Sequence, residues 1–192
     1  IFLQEGTEYV TSDYNKKEVG IDDTLTMTLS LNNVKDLISG EYTIQYKGEM
    51  YSFESAKLND EFKAYAEENG LQASLQDPVE GSPGYYQTVK VGASLNGEGY
   101  SGLNGDMPMV DVTFKVNKDD WFYGYDKLDV TQSSYTKAGE DEVVSLPYYS
   151  TSSFDFVSKH SRIEGYIKPE AFMKKSGSGN LILPTGVAQN IG

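Results

Sequence analysis

The sequence predicts an all-β protein, a jelly-roll β-sandwich of roughly eight or nine strands with one short helix. Three observations carry that expectation. In Thr24 to Leu31, Leu25, Met27, Leu29 and Leu31 fall on one side and Thr24, Thr26, Thr28 and Ser30 on the other, the period-two signature of a half-buried strand. The same alternation returns in Glu41 to Tyr46 and in Val110 to Val116. The chain also carries 15 Tyr and 19 Gly, a pairing that suits aromatic strands separated by glycine-rich turns.

Taken in order, Glu8 to Tyr14 is read as a first edge strand, and Thr24 to Leu31 as the next. Asn32 to Gly40 is polar and rich in turn residues, which predicts a crossover between two separate strands. In the strand beyond it, Tyr42, Ile44 and Tyr46 oppose Glu41, Thr43 and Gln45. Lys47-Gly48-Glu49 makes a turn into a strand carrying Tyr51, Phe53 and Ala56. The period then changes to about 3.6. Asn59 is an N-cap, Leu58, Phe62, Tyr65 and Ala66 form a stripe, and Asn69-Gly70 closes a short helix that lids one end of the sandwich. Asp77 to Gly84 is a loop by its Pro and Gly content. From Tyr85 a strand resumes, with Val89, Val91, Ala93 and Leu95 inward and Thr88, Lys90 and Ser94 outward. The alternation of Val110, Val112, Phe114 and Val116 against Asp111, Thr113 and Lys115 marks a central strand. Leu128 with Val130, Val143-Val144, and Phe154 with Phe156 indicate the last three.

In composition, the 192 residues carry a formal charge of −13, which speaks against a nucleic-acid surface, because phosphate binding needs clustered Lys and Arg. No apolar run is long enough to span a bilayer, so membrane insertion is not expected. The chain opens on Ile with no basic-then-apolar signal segment, which suggests an excised piece of a larger protein. It has no cysteine, hence neither disulfides nor thiolate metal sites.

Little in the chain points to catalysis. A Ser-His-Asp arrangement needs a histidine, and the single one, His160, lies in the expected linker. No pair among the 29 acids stands out as a glycosidase couple. Gly97-Glu98-Gly99-Tyr100-Ser101-Gly102 has the spelling of a dinucleotide fingerprint, but a strand follows it rather than the helix that would face a pyrophosphate, so it is read as a turn. No cofactor is called for. Structural calcium stays open, since Asp22-Asp23, Asp119-Asp120, Asp126 and Asp129 supply hard oxygen ligands without the spacing of an EF-hand. Trp121, Tyr123 and Tyr125 are the candidates for stacking on a flat ligand such as a sugar, against the plainer reading of an aromatic plug at one end of the core.

The run DDTLTMTLSLNNVKDLISGEYTIQY, Asp22 to Tyr46, resembles the opening of a bacterial cohesin domain, and Val110-Asp111-Val112-Thr113-Phe114-Lys115-Val116 resembles a later cohesin strand. The resemblance covers about Val19 to Val157. It departs from the family at Tyr46-Lys47-Gly48, where many cohesins have Tyr-Asp-Pro, and in a longer Tyr85-Tyr86 region. It implies a non-catalytic jelly-roll module, residues 1–158, of a secreted or surface bacterial protein, which binds a dockerin-like module through one exposed sheet face or contacts other domains of its parent. A carbohydrate-binding module of a secreted enzyme, with a polysaccharide partner, is the alternative. The outward residues Ser39, Glu41, Thr43 and Gln45, with Thr88 and Lys90 from a neighbouring strand, are the expected contact set. Residues 159–192, with Ile163-Glu164-Gly165-Tyr166-Ile167 and a Lys-Lys-Ser-Gly-Ser-Gly stretch, are expected to be a linker and the start of a carboxypeptidase-regulatory-like or X-type module.

Overall fold

A computed structural model describes residues 4–118, 128–139 and 142–157. Its strands are β1 (Tyr9–Tyr14), β2 (Glu18–Val19), β3 (Thr24–Lys47), β4 (Tyr51–Leu58), β5 (Gln72–Leu75), β6 (Val79–Glu80), β7 (Tyr86–Asn96), β8 (Leu103–Val116), β9 (Asp129–Lys137), β10 (Val143–Ser145), β11 (Tyr148–Ser150) and β12 (Asp155–Phe156), with one helix, α1 (Asp60–Glu68). The jelly-roll expectation holds. The described residues form more strands than expected because β2 and β6 are two-residue pairings that leave no periodic signal, and the short β5 and β11 leave little.

The organising element is β3. The expected crossover at Asn32 to Gly40 does not separate two strands: the chain continues as one strand of 24 residues. Irregularities in the pairing with β8 at Leu29/Ser30, Leu31/Val34 and Val34/Leu37, and left-handed backbone at Asn33 (φ 62°) and Asp36 (φ 57°), bend it instead of reversing it. Side chains from β8 brace the bend: the Asn33 N–H donates to Asp106 Oδ1 (2.8 Å) and the Asp36 N–H to Asn104 Oδ1 (3.1 Å). The Asn and Asp residues that looked like a turn are those that tolerate positive φ inside a bulged strand.

Because β3 bends, its two halves belong to two layers. The first half pairs antiparallel with β1 and β8, and β4 and β11 extend that layer. The second half pairs antiparallel with β7 and β9, and β5, β6 and β10 extend the other. Strand β1 is therefore not the expected edge: it lies between β3 and β11, with which it runs parallel, Val10 opposite Tyr148. A separate two-stranded pairing of β12 with β2 brings Phe154 against Tyr14 at 4.8 Å between ring centroids.

The core lies between the layers. Leu25, Met27, Leu29 and Leu31 from the first half of β3, and Tyr42, Ile44 and Tyr46 from the second, are buried as their alternation predicts. Across the interface the Tyr42 hydroxyl donates to Met109 Sδ (3.3 Å), and the Tyr46 ring meets Phe114 edge-on at 5.1 Å. A Cβ at Gly40 would sit 3.2 Å from Leu31 Cδ1, so glycine there lets the layers close where β3 changes sheet. Burial pushes the Tyr42 phenol well above its ordinary pKa. Burial, opposed by a hydrogen bond from the Lys35 N–H and helped by Glu8, pushes Tyr135 up to about 12.

Helix α1 forms as its signals require. The Asn59 side chain accepts from the Glu61 N–H (2.9 Å), and Gly70 at φ 65° ends it while the Leu71 N–H returns to the Ala66 carbonyl (2.8 Å). Phe62 and Ala66 are buried, and the helix packs on β8 of one layer and β5 of the other. Asn59 Nδ2 also donates to Asp111 Oδ1 (3.0 Å), which takes a second bond from Thr28 Oγ1 (2.7 Å), while Thr26 and Thr113 hydroxyls meet at 2.8 Å. The outer face of the first layer is thus a hydrogen-bonded ladder that also holds the helix cap.

Candidate functional site

Residues directly opposite each other in antiparallel strands project to the same side. With Tyr42, Ile44 and Tyr46 facing the core, Ser39, Glu41, Thr43, Gln45 and Lys47 face outward from the second layer. The register places Ser39 between Ser94 and Thr136, Glu41 between Gly92 and Ser134, Thr43 between Lys90 and Gln132, and Gln45 between Thr88 and Asp129. All six expected contact residues therefore share one face: Ser39, Glu41, Thr43 and Gln45 on β3, and Thr88 and Lys90 on β7. Lys90 is exposed and the other five are half-buried.

Between β7, β3 and β9 the face is concave. Two depressions, of about 220 and 400 Å³, meet at Glu41, and their walls are mainly Ser39, Ser94, Ser134, Thr136, Thr43 and Gln132. Gly92 stands opposite Glu41 in the ladder. A Cβ there would fall 2.6 Å from the Gly40 carbonyl oxygen and 2.9 Å from Gln76 Oε1, so the position accepts no side chain and leaves room for Gln76 to lie across it. Within the described residues, no side-chain hydrogen bond or ion pair involves Ser39, Glu41, Thr43, Gln45, Thr88 or Lys90. A row of hydroxyls, amides and one central carboxylate is left facing solvent.

Sequence reasoning missed the apolar part of this face. The exposed large hydrophobic side chains among the described residues are Val79 (58%), Tyr85 (60%), Tyr86 (54%) and Val143 (60%). Val79 stands opposite Lys90, Tyr86 opposite Lys47, and Val143 opposite Thr136, so these three project outward from the second layer. Tyr85 adjoins them, its ring 4.8 Å from that of Tyr86. The parity that assigned Thr88 and Lys90 outward reaches Tyr86 two residues earlier, so that residue was legible. Val79 was not, because Asp77 to Gly84 has the turn residues of a loop and Val79–Glu80 pairs with only two residues of β7.

Other sequence candidates fall elsewhere. Gly97 to Gly102 is a turn between β7 and β8, with Gly99 and Gly102 at φ 73° and 109°, and a strand follows it as expected. Asp22 pairs with Lys115 at 3.7 Å, and Asp23 Oδ2 accepts the Gly20 N–H at 2.7 Å. Among the described residues no three His, Cys, Asp or Glu side chains gather as a metal cluster, and no helix is long and apolar enough to cross a membrane. Trp121, Tyr123, Tyr125, Asp119, Asp120, Asp126, His160 and the expected linker and following module at 159–192 lie outside the described residues.

No family profile and no curated protein sequence matches the chain. Solved structures do. The type II cohesin A11 from Bacteroides cellulosolvens aligns with a TM-score of 0.56 at 10% identity, over 77% of this chain and 99% of that one. A cohesin from a type II cohesin–X–dockerin complex of Acetivibrio cellulolyticus aligns with a TM-score of 0.53 at 9% identity, over 78% of this chain and 98% of that one. At such identities the likeness is one of architecture alone: the chain has a cohesin-like fold.

Proposed function

We propose that this chain is a non-catalytic protein-interaction module of a secreted or cell-surface bacterial protein, and that it docks a dockerin-like module on the outer face of the β7–β3–β9 layer. The observation that carries the proposal is the pairing of unpartnered polar groups with the exposed apolar side chains on that single face. Protein interfaces are built in this way, from a few apolar anchors among satisfied hydrogen bonds. The solved cohesin of Acetivibrio cellulolyticus was captured with an X–dockerin partner, which supports the class of partner. The size is adequate. Nine residues of β3, Ser39 to Lys47, extend about 27 Å, and four strand spacings add roughly 19 Å across, giving roughly 500 Å² before side-chain relief is counted. A standard interface uses about 800 Å² per partner, so the rim residues Val79, Tyr85 and Val143 belong to the contact.

The test is a calorimetric titration of a panel of purified dockerin modules, X–dockerin pairs included, into the wild type and into Glu41→Lys and Thr43→Arg. A partner of micromolar affinity or better is expected, weakened at least about tenfold by either substitution. A partner that binds all three proteins alike would place the site elsewhere. Parallel titrations with cellulose, chitin and soluble glycans address the carbohydrate alternative, which a tight, Trp121-dependent signal would favour.

A further inference from the structure

We infer that Asn96-Gly97, at the end of β7, is a site of spontaneous deamidation, where water converts the asparagine to a mixture of aspartate and isoaspartate. The other two Asn-Gly pairs of the chain are held unreactive by the fold. The inference is independent of the docking reading.

The three pairs are Asn69-Gly70, Asn96-Gly97 and Asn104-Gly105. Asparagine before glycine is labile, because a following residue without a Cβ leaves its main-chain nitrogen open to the asparagine side chain. The reaction at Asn96 needs only water and hydroxide. Hydroxide removes the proton of the Gly97 nitrogen, which attacks Asn96 Cγ. The new C–N bond closes a succinimide ring, and the side-chain nitrogen takes a proton from water and leaves as ammonia, regenerating the hydroxide. A second water then opens the ring. Cleavage at the side-chain carbonyl leaves aspartate, and cleavage at the main-chain carbonyl leaves isoaspartate, whose backbone runs through Cβ and Cγ.

Local sequence does not rank the three pairs. Asn96 and Asn104 stand in matching contexts, Leu95-Asn96-Gly97-Glu98 and Leu103-Asn104-Gly105-Asp106, each Leu-Asn-Gly followed by an acid. Exposure does not rank them either, since all three asparagines are exposed. Hydrogen bonding does. Asn69 Nδ2 donates to the Tyr65 carbonyl (2.8 Å) and the Gly70 N–H donates to the Glu67 carbonyl (3.2 Å), so both reacting groups are engaged at the end of α1. Asn104 Oδ1 accepts the Asp36 N–H (3.1 Å), and Gly105 is registered against Val34 within the sheet. For its side chain to turn onto the next nitrogen, the brace of the β3 bend must first open.

Asn96 has no such restraint. Among the described residues its side chain makes no hydrogen bond, and the Gly97 N–H has no backbone partner. The ladder of β5 and β7 ends at the Gln72–Asn96 pair, so Gly97 is the first residue beyond it. A Cβ at Gly97 would collide with Leu71 Cδ2, so packing favours glycine at this position and keeps the labile pair in place. Either product adds a negative charge to a chain already at −13, and isoaspartate also inserts one main-chain methylene between β7 and the turn that follows.

The test incubates the full chain at mildly alkaline pH, native and in guanidinium chloride, and follows each asparagine by peptide mapping with mass spectrometry. Labelling by an isoaspartyl methyltransferase reports the isoaspartate. In the native protein the peptide carrying Asn96 is expected to convert at least about tenfold faster than those carrying Asn69 and Asn104. In denaturant, where only the matching neighbours remain, Asn96 and Asn104 should convert within about twofold of each other. Asn96→Gln, an exposed change that forces a larger ring, should remove most of the native isoaspartate signal. Three results would overturn the inference: Asn104 converting as fast as Asn96 in the native protein, Asn96 outrunning Asn104 by the same factor in denaturant, or Asn96 staying intact in the native chain while both convert in denaturant.

Discussion

The two outer faces of the sandwich are drawn from the same strand and nearly the same residue types, yet they end in opposite states. On the first layer, Thr26, Thr28, Asp111, Thr113 and Asn59 bond to one another, and Asp111 is 9% exposed with two donors on one oxygen. On the second, Ser39, Glu41, Thr43 and Gln45 alternate in the same way and bond to no side chain among the described residues. A polar residue that stabilises its own fold has its partner nearby. One kept for another molecule leaves that bond unmade, at little cost while water supplies it.

The strongest challenge to this contrast is alkaline pH, which acts on the core both faces share. Burial holds Tyr42, Tyr14 and Tyr135 above the ordinary phenol pKa near 10. Above pH 10 the unfolded chain therefore releases protons that the native state keeps, so stability is fully present below pH 10 and falls as pH rises toward about 12, where Tyr135 titrates. Far-ultraviolet circular dichroism and tyrosinate absorbance should change together. Two separated transitions would mean that the layers are independent.

Next in size is Asp111→Ala, which leaves Thr28 and the helix cap without their acceptor. It is expected to cost about 2–3 kcal/mol in denaturant unfolding, the range for a bond to a charged group. Thr113→Val removes a single hydroxyl pair and should cost about 1 kcal/mol. Thr43→Val, the matching change on the second layer, should stay within about 0.5 kcal/mol. If Thr43→Val destabilises as much as Thr113→Val, the faces do not differ in the way described.

Periodicity made much of this fold legible. Wherever one face of a strand is buried, as in Thr24 to Leu31, Val89 to Leu95 and Val110 to Val116, side-chain parity survives in the sequence and is recovered in the burial. The helix was equally readable, because Asn59 and Gly70 are chemical end-markers. Illegible features were those without parity or with shared chemistry. Asn and Asp at positive φ serve a reversal and a bulge equally well, so Asn33 and Asp36 did not reveal that β3 continues. Two-residue strands such as Val79–Glu80 are set by what lies beside them, which no local pattern records. The polar members of the face were found by parity, but the approach of Gln76 to Gly92 beside Glu41 joins residues that sequence does not bring together.

The bend in β3 also fixes an order of events during synthesis. The strand is complete at Lys47, but its registered neighbours include residues 86–94, 103–115 and 129–137. At about 5–20 residues per second, its last partner leaves the ribosome roughly 5–20 s later. Throughout that delay Leu25, Met27, Leu29 and Leu31 have no finished layer to bury them. The hydroxyls of Thr24, Thr26, Thr28 and Ser30 then have a second use: they keep the waiting strand hydrated on one side and make it a poorer template for joining another nascent chain.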